Sequence, residues 1–430
     1  MPSAVKSVAV VGSGISGVVA AAHLHKEGIE VRVFERSSSA GGIWLYDERK
    51  SLEPAYASVP TSRTGSEYTK DARQEFQTEK LLHAPPGPCY VGLKNNVGTR
   101  LLETTLNPFP TGTEDFVSHA VLKDYIQETA VKTGIHSIIQ YDTEVKNISK
   151  RAGKWIVETT TLGSDGTGKP LRKVSISDFD AVVIASGHYH AAKVPNTPGL
   201  ADWKRRWPDK IQHSKGYRTP KEYQGKNVLL IGGSVSATDI ARELGPVANN
   251  IYQSHRNGTF DLPPILLPEN AIRVDEVVSY DTPTTESDQS LTGTGPIPAT
   301  VTLKSGEKLC DIHQVILCTG YNITVPFLPQ YHSDETSVDA ATDGVLVTDG
   351  SQFHNLHKDI FYIKDPSLTF VGVPFFTATF TLFEFQAMVV AKVLSGQAKL
   401  PTEMEMRAEY GERVKVKGYA KHLLRSIPDP

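Results

Sequence analysis

The chain has 430 residues, with 45 Lys and Arg against 48 Asp and Glu, a net charge of −3, and 39% hydrophobic and 22% charged residues. That is too long for one ordinary core, so two or three globular domains are expected; the near-neutral charge gives no global field for nucleic acid or an anionic membrane. Cys89, Cys310 and Cys318 stand in no CxxC or CxxxxC pair, which argues against a disulfide framework or redox dithiol and for a reducing, cytoplasmic setting. The first strand begins almost at the N-terminus, and no apolar run reaches eighteen residues. Neither a signal peptide nor a membrane span is therefore expected.

Residues 8–17 read VAVVGSGISG, an apolar run breaking into Gly12, Gly14 and Gly17, with Ser13, Ile15 and Ser16 between them. In GxGxxG spacing one glycine makes the tight turn, one admits a pyrophosphate and one lets helix and strand pack closely. A helix over 18–26 presents its positive N-terminus to phosphate. The next apolar strand, 30–34, ends at Glu35, where a carboxylate can accept ribose hydroxyls. Strand, glycines, helix and acid in order make a dinucleotide fingerprint.

The tract 37–44 ends in Gly41-Gly42-Ile43-Trp44, read either as a loop over the dinucleotide or as an ordinary turn with a buried Trp. Residues 46–87 show no clean periodicity and predict a long surface excursion. Asn95 and Asn96, on their own residues, are turn formers. Residues 116–127 predict an amphipathic helix with Val121, Leu122, Tyr125 and Ile126 on one face. Strands follow over 143–149 and 154–160, with a hairpin tip at 163–168, and a buried strand over 179–188 ends in small residues. Pro195, Pro198 and Gly199 punctuate a domain crossing. His213, by itself, reads as a satisfied surface residue rather than a base or clamp.

A second nucleotide fold starts at Lys226, with Gly232, Ser234 and Ala237 at the small-residue positions and Val235 and Ser236 beside them. The strand after its helix ends at Ser254, His255 and Arg256 instead of an acid. A guanidinium there pairs with a 2′-phosphate, so this fold should take NADPH rather than NADH. Residues 275–295 predict another surface loop, 314–321 a strand, and 370–393 a strand running into an apolar helix, after which the chain is polar.

Two Gly-rich turns, GGxW at 41–44, HSxxYR at 213–218 and a TGY at 319–321 together resemble the flavin-containing monooxygenase family in its soluble, fungal-like form, over nearly the whole chain. The family's FxGxxxHxxxF/Y motif is matched by Trp207, His213 and Tyr217, with Asp209 in place of its glycine. Its ATG and ATGY turns are matched by Ala185-Ser186-Gly187 and by Cys318 to Tyr321. The segment LKNNVG at 93–98 resembles the family's LxTNxP, which places Asn96 on its active-site asparagine, Asn95 on its Thr and Gly98 on its Pro.

The resemblance implies an α/β chain of two Rossmann-like dinucleotide-binding domains: an FAD domain over 1–198 and 319–430, and an NADPH domain over 199–318 inserted into it. It implies FAD contacts at Gly12, Ser13, Gly14, Ile15, Ser16, Gly17, Glu35, Arg36, Gly42, Ile43, Trp44, Asn96, Val97 and Val145. NADPH contacts fall on Asn95, His213, Tyr217, Gly232, Ser234, Val235, Ser236, Ala237, Ser254, His255 and Arg256. Asn96 is the catalytic residue and no metal is expected. In the implied reaction NADPH reduces FAD, the flavin forms a hydroperoxide with O2, retained NADP+ covers it, and an amine nitrogen or thiol or thioether sulfur of a small molecule takes the distal oxygen. A neutral amide can hydrogen-bond there without supplying a proton. A place in secondary metabolism and a homodimer are compatible with the resemblance; nucleic-acid and membrane partners are not expected.

Two rival activities share these folds. A Baeyer–Villiger monooxygenase pattern has Trp where Tyr217 stands, and an NADPH oxidase-like flavoprotein would release H2O2. A disulfide reductase needs paired cysteines, and a non-enzymatic FAD-binding protein has no use for a second, NADPH-selective fold.

Overall fold

The strand Ser7–Val11 lies at the centre of the first sheet because its residues are apolar on both faces: Val8, Ala9 and Val10 are wholly buried. In this computed structural model, residues 5–64, 76–165, 169–282 and 295–420 are described. The helix Ile15–Lys26, buried along its length from Ile15 to Leu24, crosses over to Glu30–Phe34, which pairs parallel with the first strand in the register Val8 to Val31 and Val10 to Val33. Ala181–Ile184 pairs parallel on the other side. The seven-stranded sheet is completed by Ile139–Gln140 at one edge and by Leu368–Phe370, Phe361–Tyr362 and Leu356–His357 at the other. The helix Thr379–Leu394 packs against Ile15–Lys26, so both ends of the chain build one core.

A second, five-stranded parallel sheet repeats the plan around Asn227–Ile231, flanked by Asn250–Ser254 and Gln314–Leu317, with Ala271–Val274 and Ile211–His213 outside them. All of its strands lie between Ile211 and Leu317. The chain enters and leaves this unit through a two-stranded ribbon, Ala191–Ala192 paired with Tyr321–Asn322. One fold is thus inserted in the other, and the ribbon sets them side by side.

An antiparallel sheet of Thr143–Arg151, Lys154–Ser164 and Pro170–Phe179 covers one face of the first sheet, burying Trp155 and Val157. Its third strand escapes sequence patterning because only Phe179 of its ten residues is buried. The expected hairpin tip shrinks accordingly: Gly163 and Ser164 belong to a strand, and residues 166–168 lie outside the described residues.

Other expectations shift too. The amphipathic helix spans His119–Lys132, and Leu122, Tyr125 and Ile126 are buried, but Val121 is 39% exposed because Thr129 and Ala130 complete the inner face. The stretch 46–87 contains a turn of 3-10 helix at Thr61–Arg63 and the helix Phe76–His83, with 65–75 outside the described residues. The expected loop 275–295 begins with the strand Val277–Tyr280, and its residues 283–294 are not described. The polar C-terminal stretch forms the helix Glu403–Lys417, closed by a capping box between Thr402 and Glu405. No described helix is long and apolar enough to cross a membrane.

Asp180 ties the covering sheet to the first strand. Its carboxylate accepts Lys6 N (2.9 Å), Ser7 N (3.1 Å) and Lys154 Nζ (2.6 Å). The Lys154 bond and the two amides hold its pKa down at about 2, against an ordinary 3.8. A depressed acid stabilises the fold above its ordinary pKa and loses that contribution as pH falls through the folded value. Asp180→Asn should therefore lower the unfolding midpoint at neutral pH, with the deficit shrinking as pH falls from about 4 to about 2; equal deficits across that range in a pH series would contradict this.

Candidate active site

The first Gly-rich turn is shaped by steric need. Gly12 has φ +100°, and a Cβ there would lie 2.6 Å from Ala185 O. A Cβ on Gly17 would lie 1.9 Å from Gly12 O. The turn therefore packs helix on strand with no room for side chains. Gly14 sits at the N-cap of Ile15–Lys26 without any side-chain cap, and the first turn of that helix holds no acid. Uncapped amides at a positive helix end fit a pyrophosphate.

Glu35 is buried at the end of its strand. Its Oε2 accepts Ser13 N (2.7 Å) and Ser13 Oγ (3.0 Å), and its Oε1 accepts Ser37 N (2.8 Å). Oε1 retains a lone pair for a ribose hydroxyl. The GGxW loop folds back on the turn: Gly41 N donates to Ser13 O (3.1 Å), and a Cβ on Gly42 would lie 3.0 Å from Gly14 Cα. The loop thus lies against the Gly-rich turn. Ile43 follows in the short helix 42–44, Trp44 packs edge-on to Phe380, and Ser16 lies beneath Gly372.

Arg36 is directed elsewhere. Its Nη2 donates to His190 Nδ1 (2.6 Å), leaving His190 Nε2 to donate to Ser186 O (2.5 Å). Burial and the facing guanidinium push the His190 pKa well down, so it serves as a neutral brace for the Ala185–Gly187 turn. Val145 lies in the apolar core with Trp155, so its side chain packs the sheet rather than meeting a nucleotide. Val97 is half-buried, its carbonyl accepting from Asn95.

The second turn repeats the first. Gly232 has φ +133°, and its Cβ would lie 2.5 Å from Cys318 O. Ser234 stands at the N-cap of Val235–Leu244 with no side-chain cap, and no acid occupies the first turn, which holds Val235 and Ser236; Ala237 is wholly buried. This end too fits a phosphate. Beyond the strand, Arg256 is exposed and has no partner among the described residues. His255 is tied through Nδ1 to Asp261 Oδ2 (3.3 Å), which also accepts Gly258 N (3.0 Å).

Several motif residues turn out to be structural. Ser254 Oγ donates to Asp275 O (3.0 Å) and accepts Val277 N (3.1 Å), both inside the fold. His213 is buried, not on the surface: Nδ1 accepts Lys215 N (3.1 Å) and Nε2 donates to Gly320 O (3.0 Å). Burial drives its pKa down to about 3, and with both nitrogens used it is neither base nor clamp. Tyr217 is wholly buried and donates to Glu243 Oε2 (3.0 Å). The departure at Asp209 is absorbed by a 3-10 turn over Pro208–Lys210, which needs no positive φ.

The two asparagines separate cleanly. Asn95 is buried, its Nδ2 donating to Val97 O (2.8 Å) and Asp115 O (2.6 Å) and its Oδ1 accepting Val117 N (2.6 Å). Both of its amide protons are spent on backbone carbonyls. Asn96 is exposed, with no partner among the described residues. His119, which donates its backbone N–H to Leu93 O (2.9 Å) and whose ring lies 5.6 Å from that of Tyr46, sets this segment beside the GGxW loop.

Arg218 carries no signal in the sequence beyond its place in HSxxYR, yet it staples the site. Buried, it donates to the carbonyls of Asp47, Arg49, Gly87, Lys215 and Tyr217 at 2.7–3.2 Å. The cysteines are all unpaired, and no group of His, Cys, Asp and Glu among the described residues could hold a metal ion.

Comparison with known proteins adds to this geometry. Residues 89–268 match the flavin-binding monooxygenase-like family, and residues 10–65 an NAD(P)-binding Rossmann-like domain. The flavin-containing monooxygenase ustF2 of Aspergillus flavus is 46% identical, covering 96% of this chain and 87% of that protein. The flavin-containing monooxygenase iboF of Amanita muscaria is 30% identical over 98% of this chain and 85% of its own length. Among solved structures, S-allyl-L-cysteine S-oxygenase of Allium sativum superposes with a TM-score of 0.71 at 26% identity, covering 98% of this chain and 84% of that one.

Proposed function

The chain belongs to the flavin-containing monooxygenase family, and from that premise we propose that it is an NADPH- and O2-dependent oxygenase of a soft nucleophile, an amine nitrogen or a thiol or thioether sulfur of a small molecule. FAD, which the Gly12–Gly17 turn and Glu35 of the first fold would hold, would supply the redox chemistry between NADPH and O2. The observation that carries the reading is the free amide of Asn96, set beside the GGxW loop while its neighbour Asn95 is consumed by backbone. An amide can donate to oxygen and cannot ionise, so it stabilises without protonating. The S-oxygenase name of the Allium structure supports sulfur as one of the two candidate atoms.

Loss of an aligned donor of this kind costs about 10²–10³ in rate. Asn96→Ala should therefore keep anaerobic reduction by NADPH while nearly all electrons appear as H2O2 and product falls by about that factor. Unchanged product per NADPH would end the assignment of Asn96.

Arg256 is the reader of the 2′-phosphate in this reading. A charge-assisted hydrogen bond is worth about 1.5–3 kcal/mol, so Arg256→Ala should raise the KM for NADPH about 10–150-fold and leave that for NADH nearly unchanged. Parallel changes in both constants would assign the phosphate to another residue.

A further inference from the structure

The stretch Cys89–Asn96 touches both folds in immediate succession. Its first part is fastened to the second fold. The Tyr90 ring meets Tyr217 edge-on at 5.4 Å, and the Tyr217 hydroxyl donates to Glu243 Oε2 (3.0 Å). Val91 N donates to Arg218 O (3.0 Å). Gly92 lies so close to Glu243 that a Cβ would fall 1.7 Å from Oε1, while Oε2 accepts the Tyr217 hydroxyl. Asp239 and Glu243 stand one turn apart on the same face of Val235–Leu244, the helix whose N-terminus forms the phosphate end of the second fold.

The second part is fastened to the first fold. Lys94 bridges to Ser118, Leu93 O accepts His119 N, and Asn95 is locked by its three side-chain bonds. Leu93 N donates to Tyr90 O (3.1 Å), closing a turn between the two anchor points. No residue of the stretch between Tyr90 and Asn95 is left as slack, and Asn96 is the next residue.

We propose that residues 89–96 form a strap through which the nucleotide-binding helix of the second fold sets the position of Asn96, with Tyr90 and Glu243 as positioning residues. The functional consequence rests on the reading of Asn96 given above; the mechanical link does not. The helix that receives the pyrophosphate at one end holds the strap on its side, so ordering that helix with NADP+ orders the strap. Burial favours the neutral form of the Glu243 carboxyl, which takes the Tyr217 hydroxyl. Displacements near 1 Å at a reacting group can cost about 10² in rate, so a modest shift of this helix is enough to matter.

The test uses the full FAD-loaded chain and its Tyr90→Leu, Glu243→Ala and double variants, with NADP+ as the probe. Amide hydrogen exchange is followed at residues 93–96, which lie on the first fold. In the wild type, saturating NADP+ should slow exchange there; in all three variants that response should be lost, with the double variant no worse than either single one because both act through one chain of contacts, Tyr90 to Tyr217 to Glu243. FAD content and the rate of anaerobic reduction by NADPH should hold, while the H2O2 yield per NADPH rises. A protection of 93–96 by NADP+ equal in wild type and variants, or absent in the wild type, overturns the strap. If Asn96→Ala fails to raise the H2O2 yield while NADP+ protection depends on Tyr90 and Glu243, the role of Asn96 falls and the strap stands.

Discussion

Gly17→Ala is expected to give a folded or partly folded chain that purifies without FAD. The added Cβ would lie 1.9 Å from Gly12 O and 2.8 Å from Gly12 C, both backbone atoms, so the clash cannot be relieved by turning a side chain. Gly12 cannot retreat, because it sits at φ +100° with its own Cβ position 2.6 Å from Ala185 O. The helix must move off the strand, and its uncapped N-terminal amides, which fit a pyrophosphate, go with it. Gly28 is the control. It has φ +78° but open space around it, so Gly28→Ala should cost only about 1–2 kcal/mol and retain FAD. Flavin absorbance per protein after gel filtration distinguishes the two; equal retention would mean that the turn is not where the dinucleotide is held.

Arg218→Ala should be the most damaging change outside the glycine turns. It removes every bond that joins Asp47, Arg49 and Gly87 to the Lys215–Tyr217 stretch through this side chain, and it strands those carbonyls. Each buried carbonyl left without a donor costs about 1–3 kcal/mol. Arg218→Lys should not rescue it, because a compact ammonium cannot span carbonyls on several sides. Thermal unfolding should show a large fall for both variants, and limited proteolysis should open the chain near residues 47–49. A lysine variant melting like the wild type would show that charge alone suffices.

The legible parts of this protein were those fixed by local chemistry. Gly12, Gly17 and Gly232 are demanded by turns a few residues long, and Glu35 follows from the strand that ends there. The strands around them are short apolar runs, and the central ones are buried on both faces as such runs require. The motif residues that proved structural were misread for one physical reason: their partners are remote in sequence. His213 donates to Gly320, Tyr217 to Glu243, and Asn95 accepts from Val117. A polar residue in a motif looks like a ligand until its hydrogen bonds are counted.

The strand Pro170–Phe179 and the helix Glu403–Lys417 failed to register for a different reason. Each buries too little apolar surface to set up a period, the strand only Phe179 and the helix only Met406. Their stability comes from pairing with Lys154–Ser164 in one case, and from the Thr402–Glu405 cap and the bidentate Arg413–Asp359 pair in the other. The T-x-x-E at 402–405 was a readable start signal. Nothing local announced Arg218.

The measurement that tests the central claim most directly is isotopic. The FAD-loaded protein is given NADPH and 18O2 with a panel of primary and secondary amines, thiols and thioethers, and products are weighed by mass spectrometry. The account predicts one 18O atom in an N- or S-oxygenated product of at least one class, with NADPH consumed in proportion. Consumption of NADPH with every electron recovered as H2O2, and no labelled product from any nucleophile, would contradict it and assign the chain an oxidase reaction.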